Sequence, residues 1–200
     1  MAFLARRLRG AGFTVRQFSY RATAAPLAAL AQQLSQFVKQ SSAASVHLAG
    51  HSLGGLVITR MLASTRDLPP GRVVLLGTPL QGSRVVRRAL QLPCSAVLFG
   101  QVSADLCRGQ PLTASDREIG MIAGCRAVGL GRLLGSPGAL GDGTVELREA
   151  DAPGLTGRLV LPVSHTGMLY SRRVAQEVGG FLRKGCFSAP APTRDGWHSW

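Results

Sequence analysis

The sequence predicts an α/β fold, a mostly parallel sheet with helices on both faces. Short apolar runs at residues 45–50, 72–77, 119–123 and 158–162 alternate with stretches whose apolar residues recur at helical spacing. Alternation of that kind argues for parallel strands joined by helical crossovers. Two hundred residues with 46% hydrophobic content and a mean hydropathy of +0.16 suit one domain with a sizeable core, and exclude a disordered chain.

Residues 1–12 read as a helix, with Phe3, Leu4, Leu8 and Ala11 on one face, Arg6, Arg7 and Arg9 around it, and Gly10 and Gly12 as its stop. Its Arg-rich, acid-free start would also suit a transit peptide, but the chain continues as structure and has no apolar signal-peptide segment. Residues 13–19 alternate through Phe13, Val15 and Phe18 and read as a strand. Pro26 opens a helix to residue 40, with Leu27, Leu30, Leu34, Phe37 and Val38 at its spacing. A strand at 45–50 and a helix at 53–64 follow. Pro69-Pro70-Gly71 then breaks the chain before the buried run at 72–77.

From Gly82 to about residue 117 the rhythm weakens, and a helical and loop insertion over the sheet's carboxyl edge is expected there. Residues 119–123 resume a strand, and 124–143 form a Gly-rich loop containing Leu133, Leu134 and Pro137. Residues 158–162 are the last strand. Residues 167–184 are a closing helix with Val174, Val178, Phe181 and Leu182 on its apolar face. The expected domain is 1–187, with 188–200 a disordered tail.

The net charge of +13 raises the question of an anionic partner, and 21 of the 23 basic residues are Arg. No basic run exceeds two residues, which suits an arginine-rich background and leaves room for weak contact with an anionic membrane surface. No nucleic acid is expected. Cys94, Cys107, Cys125 and Cys186 lack metal-ligand spacing. Cys94 and Cys107 would close a small loop in an oxidising compartment, or remain isolated thiols in a reducing one. With no phosphate loop or ligand cluster, no cofactor or metal is expected. No apolar run approaches the ~18 residues that span a bilayer, so the default compartment is the cytoplasm.

The chemistry centres on Gly50-His51-Ser52-Leu53-Gly54. An apolar run enters it and a helical pattern leaves it, as in the strand, turn and helix of a nucleophile elbow. The plainer alternative is a Gly-Ser turn that opens a helix. A serine hydroxyl needs an adjacent base, and a buried carboxylate fixes the tautomer of that base. After an elbow the partners come in the order Ser, acid, His. His165 follows the last strand and is the candidate base. His47 lies inside a strand, His51 in the elbow and His198 in the tail. Asp142, between two glycines, is the candidate acid, with a plain turn aspartate as the alternative and Asp105, Asp116 and Glu146 as rivals.

Gly50-His51-Ser52-Leu53-Gly54-Gly55, Leu76-Gly77-Thr78-Pro79 with Gly82-Ser83, Asp142-Gly143-Thr144-Val145 and Ser164-His165 together resemble the lipase and esterase branch of the α/β-hydrolases. That branch includes bacterial triacylglycerol lipases and proteins similar to the GPI inositol-deacylase. The resemblance implies an ester hydrolase with Ser52 as nucleophile, Asp142 as acid and His165 as base. It also implies that the Leu53 N–H donates to the oxyanion, with His51 in the elbow and the Thr78-Pro79 turn bordering the acyl pocket. The substrate would be a small-molecule or lipid ester. The family pattern also has a strand ending in His-Gly before the first helix, whose loop gives a second oxyanion donor. No His-Gly precedes Ser52 here, so the first strands are expected to be missing through truncation, leaving the oxyanion hole half built. The alternative expectation is a non-catalytic hydrolase-like module that binds a lipid or a protein.

Overall fold

A strand that is apolar on both faces belongs inside a sheet covered on both sides. Val73, Val74, Leu75 and Leu76 form such a strand, and all four are fully buried. They make β2 (Val73–Leu76), an interior strand of a four-stranded parallel sheet in the order β1-β2-β3-β4. The other strands are β1 (Leu48–His51), β3 (Ile119–Gly124) and β4 (Gly157–Leu161). This computed structural model describes residues 1–21, 25–92, 100–113, 115–128 and 139–188.

Each strand side finds its own cover. Leu48, Val73, Leu75, Ile119 and Met121 pack in one core with α2 (Leu27–Lys39) and α3 (Leu53–Ser64). Val74, Leu76, Ile122, Leu159 and Leu161 pack in the other with α1 (Ala2–Gly10) and α7 (Arg172–Lys184). Phe181 of α7 shows how close that second layer comes. Gly120 and Gly157 are paired across β3 and β4, and a Cβ on either would stand 2.7 or 2.8 Å from the Phe181 ring. The two glycines leave a trough, and the aromatic ring fills it.

The sheet matches the expected class, while several boundaries move. Residues 13–19 form no strand. Their alternation is satisfied by side chains instead: Phe13 and Val15 join the α1–α7 core, while Phe18 packs between Tyr20 and Phe37 on the α2–α3 side. β1 begins at Leu48 rather than residue 45, because the Val46 carbonyl is taken by the Arg117 guanidinium and leaves the ladder. The first helix ends at Gly10. The closing helix is split, with a 3-10 turn at Gly167–Tyr170 and α7 beginning only after Ser171 caps it through the Val174 N–H.

Between β2 and β3 the described part of the insertion forms α4 (Arg84–Ala89), a 3-10 turn (Gly100–Val102) and α5 (Ser103–Arg108). Ser83 Oγ donates to the Thr144 carbonyl, and the Arg84 N–H donates to Glu149, which ties this segment to the loop beyond β3. A short helix absent from the sequence reading, α6 (Leu147–Ala150), is held by a reciprocal Glu146–Glu149 capping box. Cys94 of the possible Cys94–Cys107 loop, Leu133, Leu134 and Pro137 of the Gly-rich loop, and the tail from residue 189 lie outside the described residues.

Removing the Phe181 ring would open the trough over Gly120 and Gly157. Phe181→Ala is expected to lower unfolding free energy by about 3–5 kcal/mol, read as a shifted urea midpoint at unchanged slope. A loss below about 1 kcal/mol would contradict the packing account.

Candidate active site

The carboxyl ends of the strands lie level, with His51 opposite Leu76 and Leu76 opposite Ile122. Every candidate leaves the chain near that edge. Ser52 follows β1 directly, and its N–H donates to the Leu76 carbonyl at 2.8 Å. Its φ of 53° and ψ of −120° are unusual for a residue with a side chain, a strain worth about 1–3 kcal/mol that the surroundings must hold. Two glycines hold it. A Cβ on Gly50 would stand 2.7 Å from the backbone of Gly54 and Gly55, and one on Gly55 would overlap Thr78 Oγ1. Strand and helix therefore meet with no side chain between them. Leu53 opens α3, so its N–H lacks an intrahelical acceptor and lies at the positive end of the helix.

Asp142 and His165 are brought together. Asp142 Oδ2 lies 2.8 Å from His165 Nδ1, and the His165 N–H donates to the Asp142 carbonyl at 2.9 Å. The carboxylate is 1% exposed. Its other oxygen, Oδ1, accepts from the N–H groups of Thr144 and Val145 at 2.9 and 2.8 Å, leaving Oδ2 for the imidazole. With Asp142 ionised, the imidazole carries its proton on Nδ1 and presents Nε2 as a base. Of the other carboxylates considered, Glu146 caps α6 and pairs with Arg148, and Asp105 sits in the first turn of α5.

Room for this pair comes from glycine. A Cβ on Gly77 would stand 2.8 Å from Asp142 Oδ2 and 3.1 Å from His165 Nδ1, and one on Gly124 would stand 2.8 Å from Asp142 Cβ. Gly77 was visible in the sequence within Leu76-Gly77-Thr78-Pro79, but only the fold shows which side chains its bareness admits.

His51 has a position that the spacing did not disclose. Its Nε2–H donates to the His165 carbonyl at 2.9 Å, and the two rings lie 4.6 Å apart. Burial, and then the neighbouring His165, push its pKa from 6.5 down to about 4. Thr78 is fully buried, its Oγ1 packed on Gly55 without a hydrogen-bond partner among the described residues, and Pro79 is buried beside it. That turn supports the elbow from behind and exposes no side chain. Among the described residues, no hydrogen bond joins Ser52 Oγ to His165 and no His/Cys/Asp/Glu group could hold a metal ion. A cavity of about 340 Å³ opens at the other end of β3, beside Leu112, Thr113, Arg117 and Ile119. The Arg117 guanidinium there is occupied by the carbonyls of Val46, Pro69 and Gly71.

Solved structures share this architecture. The chain superposes on a Bacillus licheniformis lipase in its mature form (TM-score 0.57, 18% identity, covering 78% of this chain and 70% of that one). It also superposes on a phospholipase from Legionella pneumophila (TM-score 0.69, 10% identity, 98% and 57%). A pyrethroid hydrolase from Sphingobium faniae matches as well (TM-score 0.55, 14% identity, 92% and 91%). The fold is that of the α/β-hydrolases. The chain spans a little over half the length of the phospholipase. No protein-family model and no curated protein matches the sequence.

The low pKa of His51 makes stability depend on pH. The unfolded chain takes up its proton near 6.5 and the folded chain only near 4, so the contribution is complete above 6.5 and is lost as pH falls through that window. The displacement corresponds to about 3 kcal/mol. His51→Gln keeps a donor but cannot titrate. Urea unfolding at about pH 7 and about pH 4.5 is expected to show a smaller acid loss in the variant than in the wild type. Equal losses would contradict the assignment.

Proposed function

We propose that the chain is a serine carboxylic-ester hydrolase of lipase or esterase type, acting on a small-molecule or lipid ester. The observation that carries this reading is the buried Asp142–His165 pair at the sheet edge where the strained Ser52 turn emerges. The α/β-hydrolase fold supports it.

In the proposed cycle Ser52 Oγ attacks the ester carbonyl carbon while His165 Nε2 takes the hydroxyl proton. Asp142, facing Nδ1, stabilises the imidazolium that results. The oxyanion turns toward the Leu53 N–H at the head of α3. As the intermediate collapses, the imidazolium returns its proton to the departing alcohol and an acyl-Ser52 ester remains. Water, deprotonated by His165, then attacks the acyl carbon; the bond to Ser52 Oγ breaks, the imidazolium returns its proton to that oxygen, and the acid is released. No step needs a metal or a cofactor.

A second reading is a non-catalytic module that binds a lipid or a protein at the same edge. The lack of a described hydrogen bond between Ser52 Oγ and His165 favours it, although such bonds often tighten only when substrate binds.

Hydrolysis of p-nitrophenyl butyrate separates the two readings. Ser52→Ala and His165→Ala are each expected to lower kcat by roughly 10³-fold or more, with unfolding midpoints close to that of the wild type. Wild-type turnover no faster than that of Ser52→Ala would contradict the hydrolase reading.

A further inference from the structure

Several of the arginines that look scattered along the sequence are gathered by the fold onto one face. Phe3, near the start of α1, meets Tyr170 just before α7, with ring centroids 6.5 Å apart. At the other end, Arg183 of α7 donates to the Ala11 carbonyl beyond α1. The two helices therefore run side by side in the same direction, and their outward sides make one surface. On α1 that side exposes Arg6, Arg7 and Arg9. On α7 it exposes Arg172, Arg173, Arg183 and Lys184.

A single acid on these two helices balances one of these cations. α1 has none, and the sole acid of α7, Glu177, is fully buried, 2.7 Å from Arg173 and accepting from Ser188. The opposite layer carries cations too, but on separate helices: Lys39 on α2, Arg60 on α3, and Arg84, Arg87 and Arg88 on α4.

The cationic face also has an apolar end. Tyr170 is 66% exposed and Met1 42%, with Phe3 half-buried between α1 and the Tyr170 ring. Tyr170 ends the 3-10 turn that follows His165 within two residues. Met168 of that turn is buried, with its Cε close to Gly77 and Gly124, beneath the Asp142–His165 pair. Positive charge beside an amphipathic aromatic is the combination that suits the boundary between anionic headgroups and acyl chains.

We propose that the outward face of α1 and α7, with Tyr170, Phe3 and Met1 at its leading end, docks the protein on an anionic lipid bilayer. Docking on this face brings the carboxyl edge of the sheet, with Ser52 and His165, close to the lipid.

Co-sedimentation with phosphatidylcholine vesicles, with and without phosphatidylglycerol, tests this on the full chain without reading turnover. Failure of the hydrolase reading therefore leaves the result interpretable. Binding is expected only to the anionic vesicles, and to weaken between about 0.1 M and about 0.5 M salt. Each cation near such a surface contributes roughly five-fold to partitioning. Arg6→Gln/Arg172→Gln should therefore lower it by about twenty-five-fold. The charge-matched Lys39→Gln/Arg60→Gln on the opposite layer should stay within about two-fold of the wild type. Tyr170→Ser, which leaves net charge unchanged, should also weaken binding. All of these residues are exposed, and matching thermal unfolding midpoints confirm that the variants fold. Equal losses in the two double variants, an unchanged Tyr170→Ser, or no binding to anionic vesicles would overturn the proposal. Binding to duplex DNA at the same salt with none to vesicles would overturn it too.

Discussion

The geometry of this chain depends on a steric constraint at the carboxyl edge of the sheet. Ser52 holds a backbone conformation that costs free energy, and it is kept there because the bareness of Gly50 lets β1 and α3 approach and that of Gly55 admits Thr78. Thr78, fully buried, closes the space behind Gly55. One strand over, Gly77 leaves room for Asp142 and His165. The same bareness serves both halves of the site: bulk at Gly50 would push on α3, at Gly55 on Thr78, and at Gly77 on Asp142 and His165.

Electrostatics then assign distinct roles to groups that are chemically alike. The two Asp142 oxygens are divided, one taken by backbone N–H groups and one by His165, which orients the imidazole. The two histidines are divided as well. His51 is buried and close to His165, which lowers its pKa to about 4 and keeps it neutral where most enzymes work. In that state it donates to the His165 carbonyl and steadies the loop that carries the candidate base.

Much of this was legible in the sequence, because period and glycine placement carry it. The apolar run at β2, the helical spacing of α2 and α7, and the turn before α3 each imposed one local solution. Residues 13–19 misled because alternation reports where side chains go and not whether a ladder forms; Phe13 and Phe18 are half-buried against opposite cores without strand pairing. α6 was missed because a four-residue helix has no period, and its signal lay in the Glu146–Glu149 pair. At the site, chain order singled out His165 and suggested Asp142, but the choice over Asp105, Asp116 and Glu146 rests on a contact between residues 23 positions apart. The link from His51 to His165 spans 114 positions and had no local signal. The cationic face was hidden in the same way, since α1 and α7 lie at opposite ends of the chain.

Reaction with a fluorophosphonate, followed by peptide mapping of the adduct, tests the central claim most directly. Such a reagent reacts with a serine whose hydroxyl is activated by a neighbouring base and whose developing oxyanion is stabilised. The account predicts one stoichiometric adduct on Ser52, absent from His165→Ala. A folded protein that remains unlabelled, or carries the adduct on another residue, would contradict it.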